Sequence, residues 1–266
     1  MIEKIRAFFE REAPTRSVDL HKNVVLYLED ISVSFDGFKA IDSLNLYVMK
    51  NELRCIIGPN GAGKTTMMDI ITGKTRPDSG SAWLGQNFNL LLHSEDQIAR
   101  AGVGRKFQKP TVFENLTVFE NLELAMDTDK GVFPTLFAQL NCLEEESIEV
   151  VMERINLTAL SEDFAGSLSH GQKQWLEIGM LLMQNAQLLL IDEPAAGMTH
   201  QEMDKTVELL QNLKDKHTII VVEHDMDFVR SLESPITVLH QGKVLAEGDM
   251  NKIQNDPNVV EVYLGE

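Results

Sequence analysis

The chain has 266 residues, enough for one α/β core with an inserted subdomain, and its 43% hydrophobic and 24% charged residues are typical of a globular protein. No stretch approaches the roughly 18 consecutive apolar residues that span a bilayer, so we expect a soluble chain. The 24 Lys and Arg residues against 41 Asp and Glu give a net charge of −17, which repels a nucleic-acid backbone; without an offsetting basic cluster, we expect no nucleic-acid partner.

Residues 1–23 are predicted to be an N-terminal extension. Ile2, Ile5, Phe8 and Phe9 recur in it at helical spacing among charged residues, without the uninterrupted apolar core of a secretion signal. Two interpretations stay open. The segment is either an amphipathic helix that lies on the domain, a partner or a membrane surface, or it is a frayed tail.

The two cysteines stand far apart in the sequence. Cys55 and Cys142 have neither the spacing of metal ligands nor that of a disulfide framework. We therefore predict reduced thiols, with Cys55 buried in a strand.

The first predicted elements are short strands with alternating hydrophobic residues. They are separated by polar residues, and Asp36-Gly37 is typical of a tight turn. This pattern predicts a small antiparallel sheet. Its runs cover Val24–Leu28, Ile31–Phe35 and Leu44–Val48.

Apolar runs without alternation follow, which is typical of parallel strands buried on both faces. They cover Leu53–Ile57, Gln187–Ile191 and Ile219–Val222. Helical periodicity follows the first two runs, at Lys64–Gly73 and Met203–Leu213. Together these elements predict a doubly wound α/β sheet.

Between about 109 and 168 the sequence predicts helices in place of strands. Leu116, Phe119, Leu122 and Met126 recur every three to four residues. These apolar residues are interpreted mainly as core, with the alternative that some line a groove for a partner helix.

A phosphate-binding loop is the strongest motif of the chain. It fits G-x-x-x-x-G-K-[ST] between a strand and a helix, so its backbone N–H groups can surround an anion. Lys64 would place a charge at the β- and γ-phosphates, and the Thr65 hydroxyl would bind Mg²⁺. The residues predicted to hold the nucleotide here are Gly58, Pro59, Asn60, Gly61, Ala62, Gly63, Lys64, Thr65 and Thr66.

Two further strand ends supply polar groups to the same edge, where ligands bind in such sheets. Asp192 is predicted to hold Mg²⁺, and Glu193 to accept the proton of the attacking water. His224 is predicted to lie near the γ-phosphate with a role in the transition state.

The segment Leu168–Gln172 reads Leu-Ser-His-Gly-Gln and resembles the signature segment of ATP-binding cassette ATPases, usually Leu-Ser-Gly-Gly-Gln. The resemblance implies a P-loop NTPase (RecA-like) core with a parallel sheet, an N-terminal antiparallel β subdomain and an inserted helical subdomain at about 109–168. It also implies an ATP-binding domain over 24–266, with ATP and Mg²⁺ as cofactors.

The resemblance further implies roles for single residues. Phe35 would stack on adenine, with Phe38 as the competing choice. Gln108 would be the catalytic glutamine that links Mg²⁺ and the attacking water to the helical subdomain. His224 would be the switch histidine of the family.

The signature segment is implied to act across a dimer. Within Ser169–Gln172, the Ser169 hydroxyl and the Gly171 N–H would cap the γ-phosphate of ATP on the other subunit. Gln172 completes this segment. Two positions depart from the family pattern: His170 replaces the first signature Gly, and Thr199 replaces a frequent Asp.

Several segments resemble the branched-chain amino acid importer ATPases, most nearly the urea importer branch. We therefore predict an importer ATPase for urea, with branched-chain amino acid import as the alternative and a soluble non-transport cassette protein as the alternative of another class. The implied partners are two permease subunits, a second ATPase subunit and, indirectly, a periplasmic binding protein, at the cytoplasmic side of the inner membrane. The segments are Ser34–Ala40, Gly104–Gln108, Ser169–Gly179, Pro194–Met198 and Asp256–Glu266.

Overall fold

The computed structural model describes residues 18–19, 23–108, 111–126 and 142–264. The strands are β1 (Val24–Phe35), β2 (Phe38–Met49), β3 (Leu53–Ile57), β4 (Ser79–Leu84), β5 (Phe88–Asn89), β6 (Val103–Lys106), β7 (Leu188–Asp192), β8 (Thr218–Val222), β9 (Ile236–His240) and β10 (Lys243–Gly248). The helices are α1 (Lys64–Ile71), α2 (Glu95–Arg100), α3 (Val118–Ala125), α4 (Cys142–Arg154), α5 (His170–Met183), α6 (His200–Leu213), α7 (Met226–Ser231), α8 (Met250–Gln254) and α9 (Pro257–Leu264). The predicted amphipathic segment near the N-terminus lies outside the described residues.

The predicted antiparallel sheet is present, in the order β2-β1-β4-β5. The three predicted runs are corrected to two strands of 12 residues each. Asp30 has a φ of 49° at a register shift between Leu28 and Ile31, so a bulge absorbs the polar residues and the strand continues. The predicted turn is confirmed, since Asp36 and Gly37 both have positive φ, as a two-residue hairpin requires.

The second sheet has six strands in the order β10-β9-β3-β8-β7-β6, and all neighbours except β10 and β9 are parallel. The three predicted parallel strands are confirmed as β3, β7 and β8. The sequence prediction missed β6 and β9. β6 has only four residues and ends in Arg105 and Lys106, so it carries no apolar run.

Both faces of this sheet are buried. Leu189 and Ile191 of β7 belong to the apolar cluster that includes α3 to α6, whereas Leu188 and Leu190 belong to the cluster that includes α1 and the antiparallel sheet. Successive side chains of a strand point to opposite faces, so burial on both faces explains the absence of alternation in the sequence.

The helices predicted from periodicity are confirmed as α1 and α6. In the predicted helical subdomain, Leu122 and Met126 are buried, in agreement with their interpretation as core. α3 and α4 lie against α5, where a Cβ on Gly179 would be 2.7 Å from the Cδ1 of Ile155. The limits of the subdomain stay a prediction, and residues 127–141 lie outside the described residues. Among the described helices, none has the length and apolarity needed to cross a bilayer.

Candidate functional site

The predicted phosphate loop joins the end of β3 to the start of α1, and two of its glycines are required by close contacts. A Cβ on Gly58 would lie 2.2 Å from the carbonyl oxygen of Leu239. Leu239 belongs to β9, the strand next to β3. Gly63 has a φ of 102°, and a Cβ there would lie 2.7 Å from the Cδ1 of Ile41. A side chain at either position would force the loop away from the sheet, so the loop can hold its shape only with glycine.

The N-terminus of α1 is open to an anion. Gly63 is its N-cap, and among the described residues no side chain caps the helix and no acidic residue stands in its first turn. The Lys64 ammonium donates to the carbonyl oxygens of Gly58 and Pro59, the second at 3.0 Å. The uncapped start of α1 and the lysine ammonium therefore belong to the same loop, which favours a phosphate there.

The register of the parallel strands brings the three predicted strand ends to one edge. Ile56 of β3 is paired with Val222 of β8, and Val222 is paired with Asp192 of β7. Burial lowers the pKa of Lys64, and the negative charges of Glu193 and Asp192 oppose that change. The loop lysine and the two carboxylates thus share one electrostatic environment, as the sequence predicted.

Glu193 is at the centre of this edge. The side-chain amide of Gln108 donates to its Oε2, and Nδ1 of His224 lies 3.4 Å from its Oε1. Glu193 has a φ of 45°, which is uncommon for a residue with a side chain and is typical of strain stored at functional sites. The structure therefore brings together Glu193, Gln108 and His224, three residues that are far apart in the sequence.

Asp192 has a partner that the sequence analysis did not assign. Arg105 lies with its Nη2 3.6 Å from the Oδ2 of Asp192 and donates through Nη1 to Asp69 of α1. Burial raises the pKa of Asp192, and the charge of Arg105 opposes this rise. Arg105 thus stabilises the ionised form of the carboxylate that was predicted to hold Mg²⁺.

Glu223 is a second residue that the sequence analysis did not assign to the site. Its side chain is only 1% exposed, and it accepts hydrogen bonds from the backbone N–H groups of Ala195, His224 and Asp225 at 2.8, 2.8 and 3.1 Å. This carboxylate connects the backbone that follows β7 with the backbone that follows β8. The His224 side chain stays 64% exposed. Its position directly after a buried strand was the signal that could have identified it.

The predicted signature residues lie at the N-terminus of α5. Ser169 is the N-cap and forms a capping box with Gln172. The Ser169 hydroxyl also donates to Oε1 of Glu202 at 2.7 Å, and a Cβ on Gly171 would lie 2.7 Å from the same oxygen. None of their described hydrogen bonds reaches the phosphate loop of the same chain. Glu202, on α6, was not assigned from sequence.

The two positions that depart from the family pattern have structural roles. Nε2 of His170 lies 2.9 Å from Nε2 of Gln174, whose amide also lies 3.3 Å from the carbonyl oxygen of Ala196. Thr199 is the N-cap of α6 and forms a capping box with Glu202. The contacts of Gln174 connect the signature helix to the loop that follows Glu193, whereas the Thr199 capping box lies within the start of α6.

The two candidates for the adenine contact face each other across the hairpin of β1 and β2. Phe35 and Phe38 are register partners, with 48% and 65% of their surfaces exposed. Downstream in β2, the carbonyl oxygen of Ala40 would be 2.8 Å from a Cβ on Gly63. The hairpin therefore adjoins the phosphate loop, and both rings remain candidates.

Comparison with known families identifies the cassette. The model of the family described as "ABC transporter" matches residues 41–196, more than half of the chain. The chain belongs to the ABC transporter family. A second model, described as "Branched-chain amino acid ATP-binding cassette transporter", matches residues 243–266.

Relatives of this ABC cassette cover nearly its whole length. The high-affinity branched-chain amino acid transport ATP-binding protein BraF of Pseudomonas aeruginosa is 36% identical over 254 residues, covering 91% of this chain and 98% of BraF. A crystal structure of the ADP conformation of an ATP-binding cassette of an ABC transporter is 31% identical, with a TM-score of 0.78 over 91% of this chain and 99% of the other. A dimeric cassette bound to ADP and Pi is 25% identical, with a TM-score of 0.71 over 85% and 98%.

These likenesses confirm the predicted fold class and activity. The chain has the ABC ATPase fold, an α/β P-loop NTPase with a largely parallel sheet and an antiparallel β subdomain, and it is an ATPase. The cassette therefore binds nucleotide.

Proposed function

We propose that Glu193 is the general base of ATP hydrolysis in this cassette. The observation that carries the proposal is the convergence of Gln108, His224 and the Lys64 charge on this one carboxylate. Glu193 accepts the proton of the attacking water, which Gln108 orients, and His224 supports the charge that develops on the γ-phosphate. Lys64 and the loop N–H groups hold the β- and γ-phosphates.

Mg²⁺ fits the oxygen groups at this edge. Thr65 follows the loop lysine, Asp192 ends β7 beside the carboxylate of Glu193, and Gln108 reaches the same place; hydroxyl, carboxylate and amide oxygens are the ligands that Mg²⁺ prefers. These three residues would hold the ion, which when bound would neutralise charge on the phosphate oxygens.

The signature residues are proposed to complete the site of a second subunit. Ser169 and Gly171 lie at a helix N-terminus, a place suited to a phosphate, but their described contacts are with Glu202 and not with the loop of their own chain. In a dimer in which each signature segment faces the partner's phosphate loop, these groups would contact the phosphate bound there. A related cassette has been solved as a dimer with ADP and Pi.

We infer that the chain serves a branched-chain amino acid importer, as a peripheral subunit at the cytoplasmic side of the membrane beside two permeases, a second ATPase and a periplasmic binding protein. The match of the C-terminal residues 243–266 carries this inference, and the name of the relative BraF agrees with it. It replaces our first interpretation, urea import. Urea remains the second candidate because the signature neighbourhood, Gln172–Met180, resembles the urea branch.

The cargo is tested in proteoliposomes that contain the chain with its permeases, companion ATPase and binding protein. ATP hydrolysis is expected to rise with leucine, isoleucine or valine and not with urea, since only the binding protein and permeases contact the solute. Glu193→Gln in the same complex is the control for hydrolysis by this chain. Stimulation by urea alone would overturn the amino acid assignment and leave the ATP site unaffected.

A further inference from the structure

Lys106 is an unusual residue for its place in the fold. It ends β6, is paired with Ile191 of β7, and is 1% exposed. Lysine is almost never fully buried unless it is paired, because removing its charge from water is costly. A buried lysine one strand away from the proposed base therefore requires an explanation.

The Lys106 ammonium bridges two peptide groups. Its Nζ donates to the carbonyl oxygen of Phe107 at 3.2 Å and to that of Asp192 at 3.3 Å. Phe107 directly precedes Gln108, and Asp192 directly precedes Glu193. One side chain thus connects the backbone next to the proposed water-orienting glutamine with the backbone next to the proposed base.

A carboxylate of the signature helix opposes the loss of charge at Lys106. Burial lowers the pKa of Lys106, and the carboxylate of Glu177 on α5 is the strongest of the charges that oppose this change. Oε1 of Glu177 accepts hydrogen bonds from the N–H and the hydroxyl of Thr111, at 2.9 and 2.6 Å. Since Thr111 lies three residues after Gln108, the segment that carries the glutamine is held on both sides.

The backbone that Lys106 holds is strained. Glu193 has a φ of 45°, and such a conformation persists only when its surroundings enforce it. The bond from Lys106 to the carbonyl of Asp192 and that from the N–H of Glu193 to Val222, at 2.9 Å, both hold the single peptide group that precedes the Cα of Glu193. This places the Glu193 carboxylate within reach of Gln108.

We propose that Lys106 is a positioning residue for ATP hydrolysis, which holds Gln108 and Glu193 in register by bridging the peptide groups before them. The inference rests on the roles proposed above for Gln108 and Glu193. Lys106 has no described contact with the phosphate loop, so it acts on turnover and not on nucleotide affinity. Small displacements of catalytic groups can lower rates by about 10²-fold.

The test measures the KM for ATP and the kcat of the assembled complex. The kcat is expressed per molecule of bound nucleotide. Lys106→Met removes the bridge and is expected to lower kcat about 10- to 100-fold with KM nearly unchanged. Because this change leaves Glu177 without its counter-charge, Lys106→Met is also combined with Glu177→Gln, which removes both charges. Thr206→Val is the control, since Thr206 is a buried polar residue that accepts a hydrogen bond from Trp175 and has no described contact with Gln108 or Glu193.

A double-mutant cycle decides whether Lys106 acts through the glutamine. In a Gln108→Ala background, Lys106→Met is expected to lower kcat less than about threefold, because residues that act as a unit are not additive. An undiminished effect in that background overturns the inference, as does a normal kcat in Lys106→Met when Glu193→Gln strongly lowers hydrolysis. Normal hydrolysis in Glu193→Gln overturns the proposed function itself.

Discussion

Single side chains at the strand ends determine the electrostatics of the nucleotide edge. Asp192 and Lys64 lose hydration there, and burial shifts their pKa values in the directions that favour the neutral forms. Arg105 opposes the shift of the carboxylate, and the two carboxylates oppose that of the lysine. These charges favour the ionised forms of both groups in a partly buried place, as their proposed roles in phosphate and metal binding require.

Glu193→Gln should keep ATP binding and lower turnover about 10²- to 10⁴-fold, because the amide cannot accept the proton of the attacking water. The ATP-bound dimer should then accumulate, as seen by size-exclusion chromatography with Mg-ATP. Glu233→Gln is a matched control, since Glu233 also has a φ of 45° and lies outside the site. Hydrolysis that persists in Glu193→Gln without a dimer would contradict the assignment of the base.

The two cysteines should differ in reactivity. Burial raises the pKa of Cys55 to about 12, whereas Cys142 is exposed at the start of α4. A maleimide at neutral pH should label one thiol per folded chain and two per chain in denaturant, because the thiolate is the reactive form. The folded Cys142→Ser variant should not be labelled. Rapid labelling of that variant would contradict the burial of Cys55.

At the scale of helices, capping distinguishes the two kinds of N-terminus in this cassette. The described N-termini of α3, α5 and α6 each have a Thr or Ser in a capping box, at Thr117, Ser169 and Thr199. The N-terminus of α1 has Gly63 in its place. The glycine cap leaves the N–H groups of α1 without a side-chain acceptor, whereas the Thr and Ser caps stabilise their own helices. The cap of α5, Ser169, is also the residue proposed to contact the phosphate of a partner subunit.

Thr199 should stabilise the fold as the cap of α6. Thr199→Ala is expected to lower the free energy of unfolding by about 1 kcal/mol, because the N–H of Glu202 loses its acceptor. Chemical denaturation monitored by circular dichroism measures this change. Thr199→Ser retains a hydroxyl that can both accept from the N–H of Glu202 and donate to its carboxylate, and it should stay near the parent value. Equal losses in both variants would exclude a capping role.

For the whole molecule, the proposed ATP site is divided between two subunits. One chain provides the phosphate loop, Glu193 and His224. Its own signature segment lies apart from them, at the N-terminus of α5, and is proposed to face the phosphate loop of the partner. Association of isolated subunits costs several kcal/mol, so a single purified chain is expected to be a weak ATPase that becomes active on assembly.

The shared site predicts that specific ATPase activity rises with protein concentration. Ser169→Arg should abolish this rise, because a long side chain fills the place of the partner's γ-phosphate. Ser231→Arg, the same change at an exposed serine that ends α7, should leave the rise intact. Steady-state hydrolysis across a range of chain concentrations is the measurement. Activity per chain that is independent of concentration and unaffected by Ser169→Arg would exclude a shared site.

The sequence by itself determined the phosphate loop, the three buried strands and the candidates at their ends. These features depend on local rules: glycine at positive φ, apolar runs in strands buried on both faces, and polar residues at the carboxyl edge. The hairpin at Asp36-Gly37 was predictable for the same reason. The resemblance in Leu168–Gln172 then indicated the family, which the comparisons confirmed.

Only the tertiary structure decided which polar side chains are buried beside the site. Arg105, Lys106 and Glu223 have ordinary sequence surroundings, and β6 is too short to be recognised. Their roles arise because parallel pairing places β6 next to β7 and β8 next to β3, so groups from distant segments lose water together and must pair with one another. The strand neighbours that determine this pairing are not encoded in the local sequence around any of the three residues.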